Sequence, residues 1–187
     1  MQTYISILRG INVSGHKMIK MNELTTLFES LHFKNVKTYI QSGNVVFQAI
    51  ETSVNDLAIS IEDKISERFG FTVPVLVKEK SEIESVVKNN PYLMLEDKDV
   101  TKLHVTFLAK EPDKSNLDKI NQGQYLPDEY ILSGSVIYLY CPNGYGNTKL
   151  NNSFFENKLK VIATTRNWKT VNEFLEMADH ISGNYSS

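Results

Sequence analysis

The stretch from Ile7 to Lys20, ILRGINVSGHKMIK, combines glycines with side chains that bind anions. Glycine lets the main chain adopt conformations in which neighbouring N–H groups point at one anion. Arg9, Asn12, His16 and Lys17 add side-chain donors within the same loop. We predict an anion-binding loop here. The alternative is a solvated strand-to-helix connection in which these residues bind nothing.

This loop departs from the nucleotide-binding P-loop. Gly10 and Gly15 have the P-loop spacing, but His16 separates Gly15 from Lys17. Met18 stands where a P-loop places the Ser or Thr that binds magnesium. We therefore predict an anion site of another kind.

Three other segments add candidates: a turn at 41–44, a second glycine loop at 141–152 that contains Lys149, and the segment 164–170. Arg166 and Asn167 precede a predicted helix, whose free N–H groups and dipole favour anions. An ion pair between Arg166 and an acidic side chain is the alternative, and turns select Gly and Asn for backbone reasons alone. The candidate ligand-binding residues are Arg9, Asn12, His16, Lys17, Gln41, Ser42, Asn44, Lys149, Arg166 and Asn167.

Residues typical of catalytic and metal sites do not form a recognisable set. The four histidines lack metal-ligand spacing, and neither H-E-x-x-H nor G-x-S-x-G occurs. Cys141, at the end of a predicted strand, is best interpreted as a small buried side chain. We predict no metal site, assign no catalytic residue and infer no cofactor.

Composition limits the classes of partner. The 187 residues are 41% hydrophobic and have a net charge of −2, which disfavours nucleic acid. Residues 1–50 nevertheless contain five basic and two acidic residues, so an anion site is expected there. No apolar run approaches the length of about 18 residues that a membrane helix needs, and the N-terminus lacks signal-peptide features. A single cysteine favours a reducing, cytoplasmic setting.

The order of predicted elements indicates the fold. Residues 1–80 show βαββαβ patterning, typical of ferredoxin-like units, and residues 102–179 repeat that order and end in a helix. We predict an α+β protein with two ferredoxin-like (βαββαβ-type) subdomains in tandem, each with an antiparallel sheet. A helix and connector span 81–101, and 180–187 form a flexible tail. We further expect the first and third strands of each half to run parallel.

An open sheet face offers a rival function. Tyr138 and Tyr140 share one face of a predicted strand near His104, and such tyrosines stack bases in RNA-recognition modules. The signature of those modules is absent from SGNVVF, and the tyrosines are equally suited to packing. A third alternative is that all the motifs are structural.

Three blocks resemble a known family. L-R-G-I-N in residues 4–24, Q-S-G-N in 38–47 and T-R-N-W-x-T in 164–178 are similar to the bacterial family known as domain of unknown function 1697. Ser14 replaces an expected glycine. The resemblance implies duplicated ferredoxin-like α+β subdomains, and it implies no activity.

Together these patterns predict a cytoplasmic protein that binds, or acts on, a small anionic and possibly phosphorylated ligand. Arg9, Lys17 and Arg166 are expected to supply the charge. Asn12, Gln41, Ser42 and Asn44 are expected to supply neutral hydrogen bonds. A nucleic-acid or protein interaction module is the alternative, and the oligomeric state is left open.

Overall fold

The protein is described by a computed structural model that covers residues 1–120 and 122–183. The chain forms two compact units. Unit 1 comprises Met1–Ser85 together with the chain from Glu173 onward, and unit 2 comprises Val86–Asn172. Among the described helices, none has both the length and the apolar content needed to cross a lipid bilayer.

Unit 1 contains a four-stranded antiparallel sheet with helices on it. Its strands have the order β2-β3-β1-β4, and each crossover between strands contains a helix. The elements are β1 (Gln2–Leu8), α1 (Met21–Ser30), β2 (Lys34–Tyr39), β3 (Asn44–Ala49), α2 (Val54–Phe69) and β4 (Val75–Glu79). Helix α3 (Lys80–Lys88) follows β4, and its last three residues belong to unit 2.

Apolar side chains spaced for one face of a helix or strand build the core of unit 1. Leu24, Leu27 and Phe28 of α1 are buried against Phe33 and Phe47. The rings of Phe33 and Phe47 stack at 4.6 Å, and the ring of Phe28 meets that of Phe47 edge-on at 5.3 Å. The space between α1 and the sheet is therefore filled by aromatic rings.

Unit 2 repeats this topology with shorter helices. Its sheet has the order β6-β7-β5-β8, so the predicted α+β class with two antiparallel sheets is confirmed. The elements are β5 (Leu103–Leu108), α4 (Lys114–Leu117), β6 (Glu129–Ser133), β7 (Val136–Tyr140), α5 (Asn152–Leu159) and β8 (Ala163–Asn167). The last helix, α6 (Trp168–Gly183), begins in unit 2 and belongs to unit 1 from Glu173 onward.

The sequence also predicts N-caps at Asn22 and Asn167 and a helix end at Gly70. The predictions for Gly70 and Asn167 were correct, and those for Asn22 and for the tail were wrong. Gly70 ends α2 in a left-handed conformation, and the Asn167 side chain caps α6 by accepting a hydrogen bond from the Thr170 N–H at 2.8 Å. Helix α1 begins at Met21, so Asn22 is not its N-cap. Helix α6 continues to Gly183, so residues 180–183 are helical and not a flexible tail; residues 184–187 lie outside the described residues.

The expected parallel pairing of the first and third strands was wrong. In unit 1, β1 pairs antiparallel with β3, and Ile7 lies opposite Asn44. In unit 2, β5 pairs antiparallel with β7. The reason is that the crossover through α1 keeps β2 parallel to β1, and the β2–β3 hairpin then reverses the chain. The end of β1 therefore meets the start of β3.

Gly43, in the loop between β2 and β3, occupies a position that only glycine fits. Its φ is +75°, and a Cβ there would lie 2.7 Å from Leu8 Cβ and 2.8 Å from Ile11 Cδ1. Gly70 has nearly the same φ, +76°, with nothing within 4 Å of a Cβ. The two glycines thus differ in the space around them.

We expect Gly43→Ala to lower the free energy of unfolding more than Gly70→Ala does. The left-handed backbone alone costs about 1–2 kcal/mol for alanine, and the collision at position 43 should add about 1–3 kcal/mol. Urea unfolding of both variants measures the difference. Equal losses would show that the Leu8 and Ile11 contacts impose no constraint.

Candidate functional site

One end of the unit 1 sheet gathers three loops. They are the β1–α1 loop (residues 9–20), the β2–β3 turn (40–43) and the segment before β4 (70–74). The Leu8 N–H donates to the Gly43 carbonyl at 2.9 Å, and the Arg9 N–H donates to the Pro74 carbonyl at 2.9 Å. The candidates Arg9, Asn12, His16, Lys17, Gln41, Ser42 and Asn44 all belong to this end of the sheet.

The β1–α1 loop has an unusual backbone. The φ angle is positive at Gly10, Asn12, Ser14, Gly15 and Lys17. A left-handed conformation is unfavourable for residues with a side chain, by about 1–2 kcal/mol each. Specific contacts must therefore hold the loop in this shape.

The Asn12 side chain supplies those contacts. Its Nδ2 donates to the Ile19 carbonyl at 2.9 Å and to the Gln41 carbonyl at 2.7 Å. Its Oδ1 accepts a hydrogen bond from the Ile19 N–H at 2.8 Å. Both amide hydrogens are therefore used, and one side chain ties the start of the loop to its end and to the β2–β3 turn.

Two cationic residues flank the loop. The Lys17 Nζ donates to the Thr72 carbonyl at 2.7 Å, which leaves ammonium hydrogens for other acceptors. Arg9 is half-buried directly after β1, and His16 is exposed in a tight turn closed by its N–H on the Val13 carbonyl. Positive charge thus lies at both ends of a glycine-containing loop.

Three exposed residues of the loop have main-chain N–H groups without a main-chain acceptor in the described part of the chain. Gly10, Ser14 and Gly15 are exposed. Within the described residues, no main-chain carbonyl accepts from their N–H groups. Exposed N–H groups in a left-handed backbone are the components of an anion-binding nest.

The β2–β3 turn divides its polar residues between structure and surface. Asn44 is fully buried, and its Nδ2 donates to Ser42 Oγ at 2.8 Å and to the Tyr39 carbonyl at 3.3 Å. Gln41 is exposed while its carbonyl is held by Asn12. No sequence pattern indicated that the carbonyls of Thr72 and Pro74 belong to this end of the sheet. They lie there because β1 pairs antiparallel with β4.

The candidates Lys149, Arg166 and Asn167 belong to unit 2. Arg166 is half-buried, and its Nη1 donates to the Thr165 carbonyl at 2.9 Å and to Thr164 Oγ1 at 3.2 Å. Burial lowers the pKa of its guanidinium to about 10, although the Tyr145 phenol acts to raise it. Asn167 caps α6, and Lys149 is exposed.

The aromatic residues of unit 2 are engaged in contacts of its own. Tyr138 is 3% exposed, and its hydroxyl donates to the Val86 carbonyl at 3.1 Å. Tyr140 is half-buried, with Lys98 Nζ 4.5 Å from the centre of its ring. The His104 ring stacks on Tyr145 at 5.0 Å. Tyr138 therefore contributes to the packing of unit 2.

The described part of the chain contains neither a reactive thiol nor a cluster of metal-binding side chains. Cys141 is buried, and burial raises the pKa of its thiol to about 11. The thiolate, which is the nucleophile, is therefore scarce near neutral pH. In residues 1–120 and 122–183, no three His, Cys, Asp or Glu side chains group closely enough to hold a metal ion.

Comparison with known proteins gives a family and a fold. A family model described as "Protein of unknown function (DUF1697)" matches residues 1–138. The chain is also similar to a solved structure described as conserved bacterial protein SP0830 from Streptococcus pneumoniae. The two share 20% identity at a TM-score of 0.72, over 95% of this chain and 98% of that one. No curated protein matches the chain.

We expect Asn12→Ala to destabilise unit 1 by about 1–3 kcal/mol, because it removes the hydrogen bonds to Ile19 and Gln41 and leaves their partners unpaired. Ser14→Ala is the control, since Ser14 lies in the same loop with a similar φ of 50° but is exposed. Urea unfolding compares the two variants. A loss no greater for Asn12→Ala than for Ser14→Ala would contradict the role of Asn12.

We expect His104 to lower the free energy of unfolding as the pH is decreased below neutral. Burial lowers its pKa in the folded state, so between that pKa and the ordinary value of about 6.5 the unfolded chain binds more protons. The free energy of unfolding contributed by His104 is therefore present above about pH 6.5 and is lost as the pH falls through this window. His104→Phe keeps an aromatic ring beside Tyr145 and should show a smaller loss between pH 7 and pH 5. An unchanged loss in this variant would assign the pH dependence to other groups.

Proposed function

The chain belongs to the DUF1697 family, and because the description of that family names no activity, we propose from geometry that the β1–α1 loop of unit 1 binds a small anionic ligand. The family inferred from the three sequence blocks is thereby confirmed. The ligand class that we favour is a phosphate-containing small molecule.

The preorganised backbone of the loop is the observation on which the proposal depends. Left-handed residues from Gly10 to Lys17 are held by the Asn12 side chain before any ligand arrives. A receptor that is ordered in advance loses little conformational entropy on binding. The exposed N–H groups of Gly10, Ser14 and Gly15 supply donors that suit phosphate or carboxylate oxygens.

Charge supports the same assignment. Residues 1–50 contain five basic and two acidic residues, and Arg9 and Lys17 flank the loop. An arginine guanidinium matches two oxygens of a phosphate or carboxylate at once, whereas a lysine ammonium acts as a point charge. A ligand with at least two anionic oxygens would use both residues.

The candidate residues have different roles in this proposal. Arg9, His16, Lys17 and the exposed side chain of Gln41 would contact the ligand. Asn12, Ser42 and Asn44 would shape the loops, because their side chains make hydrogen bonds within unit 1. Lys149, Arg166 and Asn167 belong to the other compact unit, so the proposal is framed on unit 1 alone.

The structural alternative predicts a different experimental result. If the loop serves only to connect β1 with α1, Arg9 and Lys17 will influence folding without any anion. Stabilisation that depends on the residues of the site separates the two possibilities. A ligand bound to the folded state raises the melting temperature through the residues that contact it, whereas the exclusion of phosphate salts from the protein surface does not depend on Arg9 or Lys17.

We expect inorganic phosphate, pyrophosphate or a sugar phosphate to raise the melting temperature of the wild-type protein. The stabilisation should approach about 2.7 kcal/mol at a hundredfold excess over the dissociation constant. Arg9→Ala and Lys17→Ala should each reduce it, because each removes a cation at the loop. A thermal-shift titration of each variant, referred to its own unliganded baseline, makes the measurement.

Lys20→Ala is the matched control. Lys20 is exposed at the end of the same loop, and its substitution removes the same charge. An anion response that falls equally in all three variants would indicate general electrostatic attraction. A response that survives in both Arg9→Ala and Lys17→Ala would reject the proposed site.

A further inference from the structure

Unit 2 contains a pocket of about 200 Å³, partly open to solvent, between its sheet and the helices α4 and α5. We name it the α4 cavity. Its walls are formed by side chains from three places: the α4 segment, the β6–β7 hairpin and α5. They include Leu117, Ile120, Leu132, Ile137, Phe155 and Leu159.

We propose that the α4 cavity binds a compact apolar ligand, or the apolar part of a larger one, with the size of a singly substituted aromatic ring. This site lies in unit 2, and the inference is independent of the anion site proposed for unit 1. The two units share one sheet topology, so their helices can be compared.

The corresponding space in unit 1 is filled. There α1 has 10 residues, and Phe28 and Phe33 pack against Phe47 of β3. In unit 2 the first crossover helix, α4, has only 4 residues. A crossover helix of 4 residues in place of 10 thus covers less of the sheet in unit 2, at the place where Leu117 lines the α4 cavity.

The chemistry of the walls selects the ligand. The lining residue with a side-chain hydroxyl is Tyr130, which is 9% exposed and donates to the Ile120 carbonyl at 3.3 Å. Among the described residues that line the pocket, the other side chains are aliphatic or phenyl groups. A charged ligand placed here would lose its hydration without compensation.

Size sets the scale of the ligand. A closed apolar cavity of about 150 Å³ lined by Leu, Ile and Phe binds benzene or xenon. The α4 cavity is somewhat larger and partly open, so toluene is a suitable probe. A ring that fills it would make dispersion contacts with the lining side chains.

The experiment is a toluene titration followed by methyl NMR. The expected result is a saturable shift of the methyl signals of Leu117, Leu132 and Ile137. Leu117→Phe fills the cavity and should abolish the shift. Leu93→Phe makes the same substitution at a residue that is 43% exposed and outside the cavity lining, and should leave binding unchanged.

Several results would overturn the proposal. They are the absence of a saturable methyl shift in the wild-type protein, shifts confined to residues outside the cavity, or undiminished binding in Leu117→Phe. If the spectrum of Leu117→Phe is not native-like, Leu132→Phe provides the filled cavity instead. Benzoate, a ring with a charge, should bind more weakly than toluene, and equal binding would contradict the apolar ligand class.

Discussion

The Asn12 side chain is the constraint on which the candidate site depends. It bonds to both main-chain groups of Ile19 and to the carbonyl of Gln41. Those contacts fix where the β1–α1 loop leaves the sheet, where it returns, and how it meets the β2–β3 turn. Asparagine suits the position because it tolerates a positive φ and combines a donor with an acceptor. The groups proposed to contact a ligand are thus positioned by a residue that need not touch it.

The two units share one sheet topology but differ in the first crossover between their strands. In unit 1 the first crossover has a long loop, residues 9–20, and a helix of 10 residues that seals an aromatic core. In unit 2 the same crossover has a short loop, residues 109–113, and a helix of 4 residues above a cavity. Ala109 corresponds to Arg9 in the two sheets. The Arg9 N–H donates to the carbonyl of Pro74, directly before β4, and the Ala109 N–H donates to the carbonyl of Ile162, directly before β8. The proposed anion-binding loop and the α4 cavity therefore belong to the same crossover of the topology in different units.

Local patterns in the sequence predicted most of the fold. Alternating apolar residues located the strands, Gly70 marked a helix end, and Asn167 marked a helix start. The direction of β3 relative to β1 was mistaken, although the element order determines it. The role of Asn12 was not predictable, because its partners Ile19 and Gln41 are 7 and 29 residues away along the chain. The cavity was also missed, since it reflects side-chain volumes that no motif records.

The most direct test of the central claim is a ¹⁵N–¹H NMR titration of the full chain with pyrophosphate. The account predicts saturable shifts of the backbone amides of Gly10, Ser14 and Gly15, and loss of those shifts in Asn12→Ala while the rest of the spectrum remains native-like. Amide shifts spread over unrelated basic surface, or an Asn12→Ala titration identical to that of the wild-type protein, would contradict a preorganised anion site in this loop.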